Sequence, residues 1–299
     1  MIRYPDALEQ IEPALDAEAK GWLARAGART KLFDKNGKYT EEMVDSAGKK
    51  KALPPFWSEV KPVYMRRQFN KCVYCETKLE GKKDAYVQWD LEHFRPKSAV
   101  RKWPHEKSVH RYDFDTGDEA SIGYHLLAYH PYNYAAACKT CNSPYKSDYF
   151  PIASTRLSGR WNPGDYATEN PFLVYPLGVG ETDPEDLISF VGEQAEPKYK
   201  QTDDLLKWRR GRVMIDFFGL NRDGLVCNRA AWLRYAVWPN VGGADRGDPD
   251  ALKAIERIRS KQAQFTNCSK CFLELCRTDR SVAERMIPDL EEIVRQFEE

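Results

Sequence analysis

The sequence lacks a long apolar run, a dominant charge and an internal repeat, and each absence argues against a class of protein. No stretch approaches the roughly 18 apolar residues of a membrane helix. The opening M-I-R-Y-P-D-A-L-E-Q contains no apolar core of a signal peptide. The 46 basic and 45 acidic residues nearly cancel, so any basic surface for nucleic acid must be local. We therefore expect a cytoplasmic protein without a membrane partner.

What the sequence does contain is an ordinary globular composition and eight cysteines. Hydrophobic residues make up 42% and charged residues 30% of the 299 positions, which is typical of a soluble protein with a sizeable core. In a chain expected to remain in the cytoplasm, the cysteines indicate metal ligands and buried thiols rather than disulfides.

Hydrophobic periodicity predicts an α+β protein that is mainly helical. Apolar residues at helical spacing predict two early helices and, from about residue 203, four later ones. The predicted early helices cover 6–26 and 57–71, and the last three of the later ones cover 225–237, 249–276 and 280–298.

Composition places irregular segments between these helices and suggests three regions. Glycine, proline and lysine predict a loop over 34–55, the charged segment 100–123 resembles an insertion, and proline and glycine make 156–186 irregular. The predicted regions are an N-terminal helical segment with a basic linker (1–60), a compact module (61–155), and an irregular segment followed by a helical region (156–299).

Two C-x-x-C pairs predict a structural zinc site. The pairs are Cys72 with Cys75 and Cys138 with Cys141, and together they supply the four sulfurs of a closed tetrahedral Zn²⁺ site. Four thiolates leave no open coordination position, so this zinc would be structural. Four buried free thiols or a redox-active pair are the alternatives.

A third cysteine group, Cys268, Cys271 and Cys276, lies among apolar residues in a predicted helix. No fourth ligand is evident except the distant Cys227. Because a free cysteine behaves as a small buried hydrophobic residue, we expect this group in the core, with a second metal site as the alternative.

Several residues around these pairs can together hydrolyse a phosphodiester. A neutral histidine can accept the proton of an attacking water near pH 7, and a Mg²⁺-type ion needs carboxylate and amide oxygens. The candidate catalytic residues are Asp90, Glu92, His93, Asn133, Asn142 and Lys146.

The segments D-L-E-H-F-R-P-K and N-Y-A-A-A-C-K-T-C-N-S-P-Y-K resemble HNH endonucleases of the ββα-metal fold over about 80 of the 299 residues. The resemblance implies that His93 is the general base, that Asn133 orients it, and that Asn142 binds a catalytic Mg²⁺ or Mn²⁺. It gives Glu92 the place of the acidic metal ligand and makes Lys146 similar to a phosphate-contacting residue.

The sequence departs from the HNH pattern at the acid. The family usually has Asp before the histidine, whereas this chain has Glu92, and Asp90 can replace it or share the metal. A regular strand places Asp90 and Glu92 on one face and His93 on the other, so the strand must end or bulge there. Arg95 can contact phosphate or pair with an acid. The long segment after His93 can reach over substrate or hold a partner.

More narrowly, E-H-F-R-P-K and Y-F-P-I resemble the HNH subunits of bacterial anti-phage systems of the Septu type and their retron-associated relatives. This resemblance implies the nuclease effector of a defence complex, with an ATPase of the ABC/SMC type as partner. It also suggests docking through residues 203–299, where Trp232, Tyr235 and Trp238 are aromatic candidates.

The sequence thus predicts a metal-dependent endonuclease that hydrolyses nucleic-acid phosphodiester bonds, with DNA favoured over RNA. The alternative is a zinc-stapled subunit that binds nucleic acid or a partner without cleavage.

Overall fold

The computed structural model describes residues 1–79, 88–178, 180 and 182–298, and these fold into helices and three small sheets, which confirms the α+β class. The helices are α1 (Ile11–Glu18), α2 (Trp22–Asn36), α3 (Lys61–Arg67), α4 (Leu205–Phe217), α5 (Asp223–Trp232), α6 (Trp238–Asp245), α7 (Pro249–Arg259), α8 (Thr266–Thr278) and α9 (Arg280–Glu298). The strands are β1 (Glu42–Val44), β2 (Lys50–Ala52), β3 (Trp89–His93), β4 (Tyr134–Cys138), β5 (Ile188–Val191) and β6 (Gln194–Pro197).

The N-terminal region differs from the predicted single helix and loop. Gly21, with a φ of 70°, separates α1 from α2, and α2 continues to Asn36, where Gly37 with a φ of 65° ends it. The predicted loop over 34–55 contains the antiparallel hairpin of β1 and β2. The Asp45 carboxylate stabilises its turn by accepting hydrogen bonds from two backbone N–H groups.

The central hairpin of β3 and β4 positions the candidate site. The strands pair antiparallel in a register that places Trp89 opposite Cys138 and His93 opposite Tyr134. The buried Gln68 side chain after α3 bonds both the N–H and the C=O of Ala136 in β4, and so substitutes for a neighbouring strand. A π-helical turn, Cys141–Lys146, follows β4.

The C-terminal region is helical, as predicted, but the boundaries differ. The predicted helix over 249–276 is two helices, α7 and α8, because the chain turns after Arg259 and Phe265 adopts a left-handed conformation with a φ of 50°. The helix predicted over 225–237 is α5 followed by a π-helical turn, Leu233–Val237. The hairpin of β5 and β6 was not predicted.

The segment 100–123 packs against α4. The Tyr112 hydroxyl donates a hydrogen bond to the Asp216 carboxylate over 2.8 Å, and the Trp103 ring lies 5.0 Å from the Phe217 ring. Buried apolar residues from Met1 to Val294 form one hydrophobic cluster, so this segment adds to the core.

Within the described residues, no helix combines the length and the apolar character needed to cross a bilayer.

Candidate metal centre and active site

The four predicted zinc ligands lie together. The sulfurs of Cys72, Cys75, Cys138 and Cys141 are all within 4.8 Å of one another, and the Cys75 and Cys138 sulfurs are 3.9 Å apart. Zn–S bonds of about 2.3 Å in a tetrahedron separate two sulfurs by about 3.8 Å. The cluster is therefore compatible with a structural metal such as zinc.

Three neighbouring groups contact the sulfurs of this four-cysteine cluster. The Thr77 hydroxyl lies 3.2 Å from the Cys75 sulfur, the Cys141 backbone N–H donates to the Cys138 sulfur, and the Arg222 guanidinium donates to the Cys141 sulfur over 3.7 Å. Donors of this kind stabilise thiolates and orient metal ligands. Because Arg222 immediately precedes α5, the C-terminal region contributes to the environment of the cluster.

Within the described part of the chain, the four cysteines are the one group of three or more histidine, cysteine, aspartate and glutamate ligands near enough to share an ion. The thiols of Cys268 and Cys276 are buried in the hydrophobic core, and Cys271 is partly buried. The core interpretation of this third group is therefore the one that the structure supports.

A cleft of about 430 Å³ opens beside β3, and we call it the His93 cleft. It is lined by Trp57, Ser58, Lys61, Asp90, Leu91, Glu92, His93, Pro96, Lys97, Ser98, Asn142, Ser147 and Asp148. Four of the six predicted catalytic residues line it. Glu92 and His93 are the last two residues of β3, and both line the cleft.

The His93 side chain is buried and held by a backbone carbonyl. Its Nε2 lies 3.0 Å from the carbonyl oxygen of Ala128, which also accepts a hydrogen bond from the Tyr134 hydroxyl. A carbonyl only accepts, so Nε2 carries the proton and Nδ1 keeps its lone pair. Burial, followed by the positive charge of Lys97, holds the pKa of His93 well below its usual value. The ring is therefore neutral at pH 7, as a general base must be.

Glu92 and Lys146 form a buried ion pair. The Lys146 Nζ lies 3.1 Å from Oε1 of Glu92, and both side chains are nearly inaccessible to solvent. Oε1 nevertheless has no partner with hydrogen-bond geometry among the described residues. Burial raises the pKa of Glu92 to about 7 although Lys146 opposes that shift.

This pairing corrects the role predicted for Lys146. The side chain is fully buried, points to Glu92 rather than to solvent, and does not line the His93 cleft. A phosphate in the cleft cannot meet its ammonium in this arrangement. Lys146 instead stabilises the charge of a buried carboxylate.

Asp90 and Asn142 form a second polar pair in the cleft. The Asn142 Nδ2 donates to Oδ2 of Asp90 over 3.0 Å, and Lys139 Nζ lies 2.9 Å from the other oxygen, Oδ1. The side-chain oxygen Oδ1 of Asn142 accepts no hydrogen bond within the described residues, whereas its backbone carbonyl accepts one from the Ser147 N–H. Both side chains are partly exposed, so this pair presents oxygen ligands to solvent, unlike the buried Glu92.

Asn133 does not touch the imidazole, contrary to the role that the resemblance implied. Its amide is buried, donates to the carbonyls of Arg95 and Leu127, and accepts from the Arg95 N–H. These bonds join the end of β3 to the loop that carries Ala128. Asn133 therefore positions His93 only through the backbone, and Ala128 holds the ring.

Of the two roles predicted for Arg95, contact with phosphate and pairing with an acid, the structure shows the second. Its guanidinium forms a buried ion pair with Glu169 and lies 4.9 Å from the ring centre of Tyr124. Nine lining residues of the cleft were not assigned by the sequence analysis, and they include Trp57, Lys61 and Lys97. Lys97 is the last residue of the E-H-F-R-P-K segment that carries the resemblance, and its place in that segment was the sequence signal that could have identified it.

Comparison with family models, with curated proteins and with solved structures found no match to this chain.

Proposed function

We propose that this protein is a metal-dependent endonuclease that hydrolyses the phosphodiester bonds of nucleic acid, with DNA as the favoured substrate. The observation that carries the proposal is the state of His93, which is neutral, fixed through Nε2, and located in the same cleft as Asp90 and Asn142. The β3–β4 hairpin followed by a helical turn supports the HNH interpretation because it has the order of elements that the resemblance implies.

The four-cysteine cluster is proposed to bind one structural Zn²⁺. Its sulfurs fit a closed tetrahedral site, and it joins the segment after α3 to the end of β4. The zinc would fix the hairpin that carries the catalytic residues and would take no part in the chemistry.

The catalytic ion is proposed to be Mg²⁺ or Mn²⁺, held by the Asp90 carboxylate and the side-chain oxygen Oδ1 of Asn142. Two oxygen ligands suit a hard ion that keeps several waters and binds substrate phosphate. Such an ion supplies charge neutralisation at the phosphate and the leaving oxygen. Glu92 fits less well as a direct ligand in this arrangement because the Lys146 ammonium faces it.

His93 is proposed to accept the proton of the attacking water at Nδ1. The resulting imidazolium keeps its Nε2–H bond to the carbonyl of Ala128, whose dipole stabilises the new positive charge. Trp57 and Tyr134 contact the ring edge-on and limit its rotation, with ring centres 4.9 and 5.0 Å away.

A role as nuclease effector of an anti-phage complex with an ABC/SMC-type ATPase remains a proposal that rests on the sequence resemblance. Of the three aromatic docking candidates, Trp232 and Trp238 pack against α8, whereas Tyr235 is 60% exposed. Tyr235 is therefore the residue to test for partner contact.

The second candidate function is binding without cleavage. The Glu92–Lys146 pair favours it, because Glu92 stands where the family has its acidic metal ligand and is here paired with a lysine. Incubation of the protein, alone and with its co-expressed genomic neighbours, with duplex DNA, single-stranded DNA and RNA distinguishes the two. The proposed function expects cleavage with Mg²⁺ or Mn²⁺ and none with EDTA. Binding without cleavage in every preparation supports the alternative.

A further inference from the structure

The Lys97 side chain is a cation in the His93 cleft that aromatic rings hold in place. Its Nζ lies 4.9 Å from the ring centre of Trp57 and 5.2 Å from that of Tyr39. The same indole of Trp57 contacts the His93 ring edge-on at 4.9 Å. One tryptophan therefore contacts both the ammonium and the imidazole, and all three side chains belong to residues that line the cleft.

The ammonium of Lys97 has no hydrogen bond and no ion pair among the described residues, although the side chain is half-buried. Two other lysines of this region are neutralised, since Lys146 pairs with Glu92 and Lys139 with Asp90. Burial lowers the pKa of Lys97, and the nearby charges of Glu41 and Glu92 only partly oppose this effect. Ring faces attract a cation, but they do not replace a full negative charge.

We propose that Lys97 binds a nonbridging phosphate oxygen of the substrate and so performs the role that sequence resemblance gave to Lys146. This inference rests on the proposed function, and the ligand is the phosphodiester backbone of a nucleic acid. An ammonium that contacts phosphate reads no base, so this contact strengthens binding to all sequences equally.

The test measures the salt dependence of DNA binding by the full-length chain. The probe is a fluorescein-labelled duplex DNA of mixed sequence, and the background is His93→Ala with EDTA, so that no cleavage occurs. Losing one phosphate contact lowers the slope of log K against log salt by about 0.9. We expect Lys97→Gln to show this change and to weaken binding about tenfold at low salt. Lys97→Arg should retain the slope.

Lys198→Gln is the matched control, because Lys198 is an exposed lysine paired with Asp186 outside the cleft. Lys97→Met retains the aliphatic stem against the rings and replaces Lys97→Gln if that variant does not fold. If wild-type protein cleaves DNA while the Lys97 variants match Lys198→Gln, the inference is overturned and the proposed function stands. If the chain neither binds nor cleaves DNA, both are overturned.

Discussion

Replacing a cysteine of the four-cysteine cluster should destabilise the protein far more than the same replacement elsewhere. Structural zinc contributes about 10–16 kcal/mol of apparent binding free energy in zinc-finger peptides, whereas a whole domain is stable by about 5–15 kcal/mol. Cys72 is fully buried, and its loss leaves three sulfurs that cannot close the site. We expect Cys72→Ser to lose zinc and the cooperative unfolding transition of the native protein.

Cys271→Ser is the matched control, because Cys271 is partly buried and lies outside the cluster. We expect that variant to lose about 1 kcal/mol and to retain its metal. The assay combines elemental analysis with thermal unfolding, before and after chelation. One zinc per chain and a large fall in Tm on chelation are expected. Equal Tm values for metal-loaded and metal-free protein, or for the two serine variants, would refute the reasoning.

The remaining predictions concern the His93 cleft. The folded pKa of His93 lies below its unfolded value, so the stability that its neutral form contributes is fully present above about pH 6.5 and is lost as the pH falls through the folded pKa. His93→Gln should therefore make the free energy of unfolding less dependent on pH below about pH 6.5. Measured at about pH 8, above the Glu92 pKa of about 7, Lys146→Met should cost about 3 kcal/mol in urea unfolding by isolating the buried Glu92 charge, and adding Glu92→Gln should restore most of the loss; additive losses would contradict the ion pair. Asp90→Asn should raise the Mg²⁺ concentration for half-maximal cleavage about tenfold, whereas Asp148→Asn, which changes another cleft carboxylate, should leave it nearly unchanged; equal effects would remove Asp90 from the metal site.

Local sequence patterns were sufficient to predict the four clustered cysteines, because each pair lies within a short stretch of chain. Each C-x-x-C pair already holds two sulfurs close together, so only the meeting of the two pairs depended on the fold. Asp90, Glu92 and His93 lie within one strand that pairs regularly with β4 through His93, without the end or bulge expected before it. All three residues nevertheless line the His93 cleft.

The sequence could not specify the contacts that depend on distant backbone. The carbonyl of Ala128 is 35 residues from His93, and a main-chain carbonyl has no sequence signature. Lys146 lies at the end of a π-helical turn rather than a regular α-helix, so its spacing from Asn142 did not predict its direction. The break between α7 and α8 contains no glycine or proline, and it depends in part on the bond from the Thr266 N–H to Glu76.

The most direct test of the central claim is cleavage of supercoiled plasmid by wild-type protein and by His93→Ala, each alone and with the co-expressed genomic neighbours. His105→Ala serves as control because His105 is exposed and lies outside the cleft. We predict Mg²⁺- or Mn²⁺-dependent cleavage by wild type and His105→Ala, and a loss of about 10²–10⁴ in rate for His93→Ala with unchanged zinc content. Cleavage that persists in His93→Ala at the wild-type rate, or no metal-dependent cleavage in any preparation, would contradict the account.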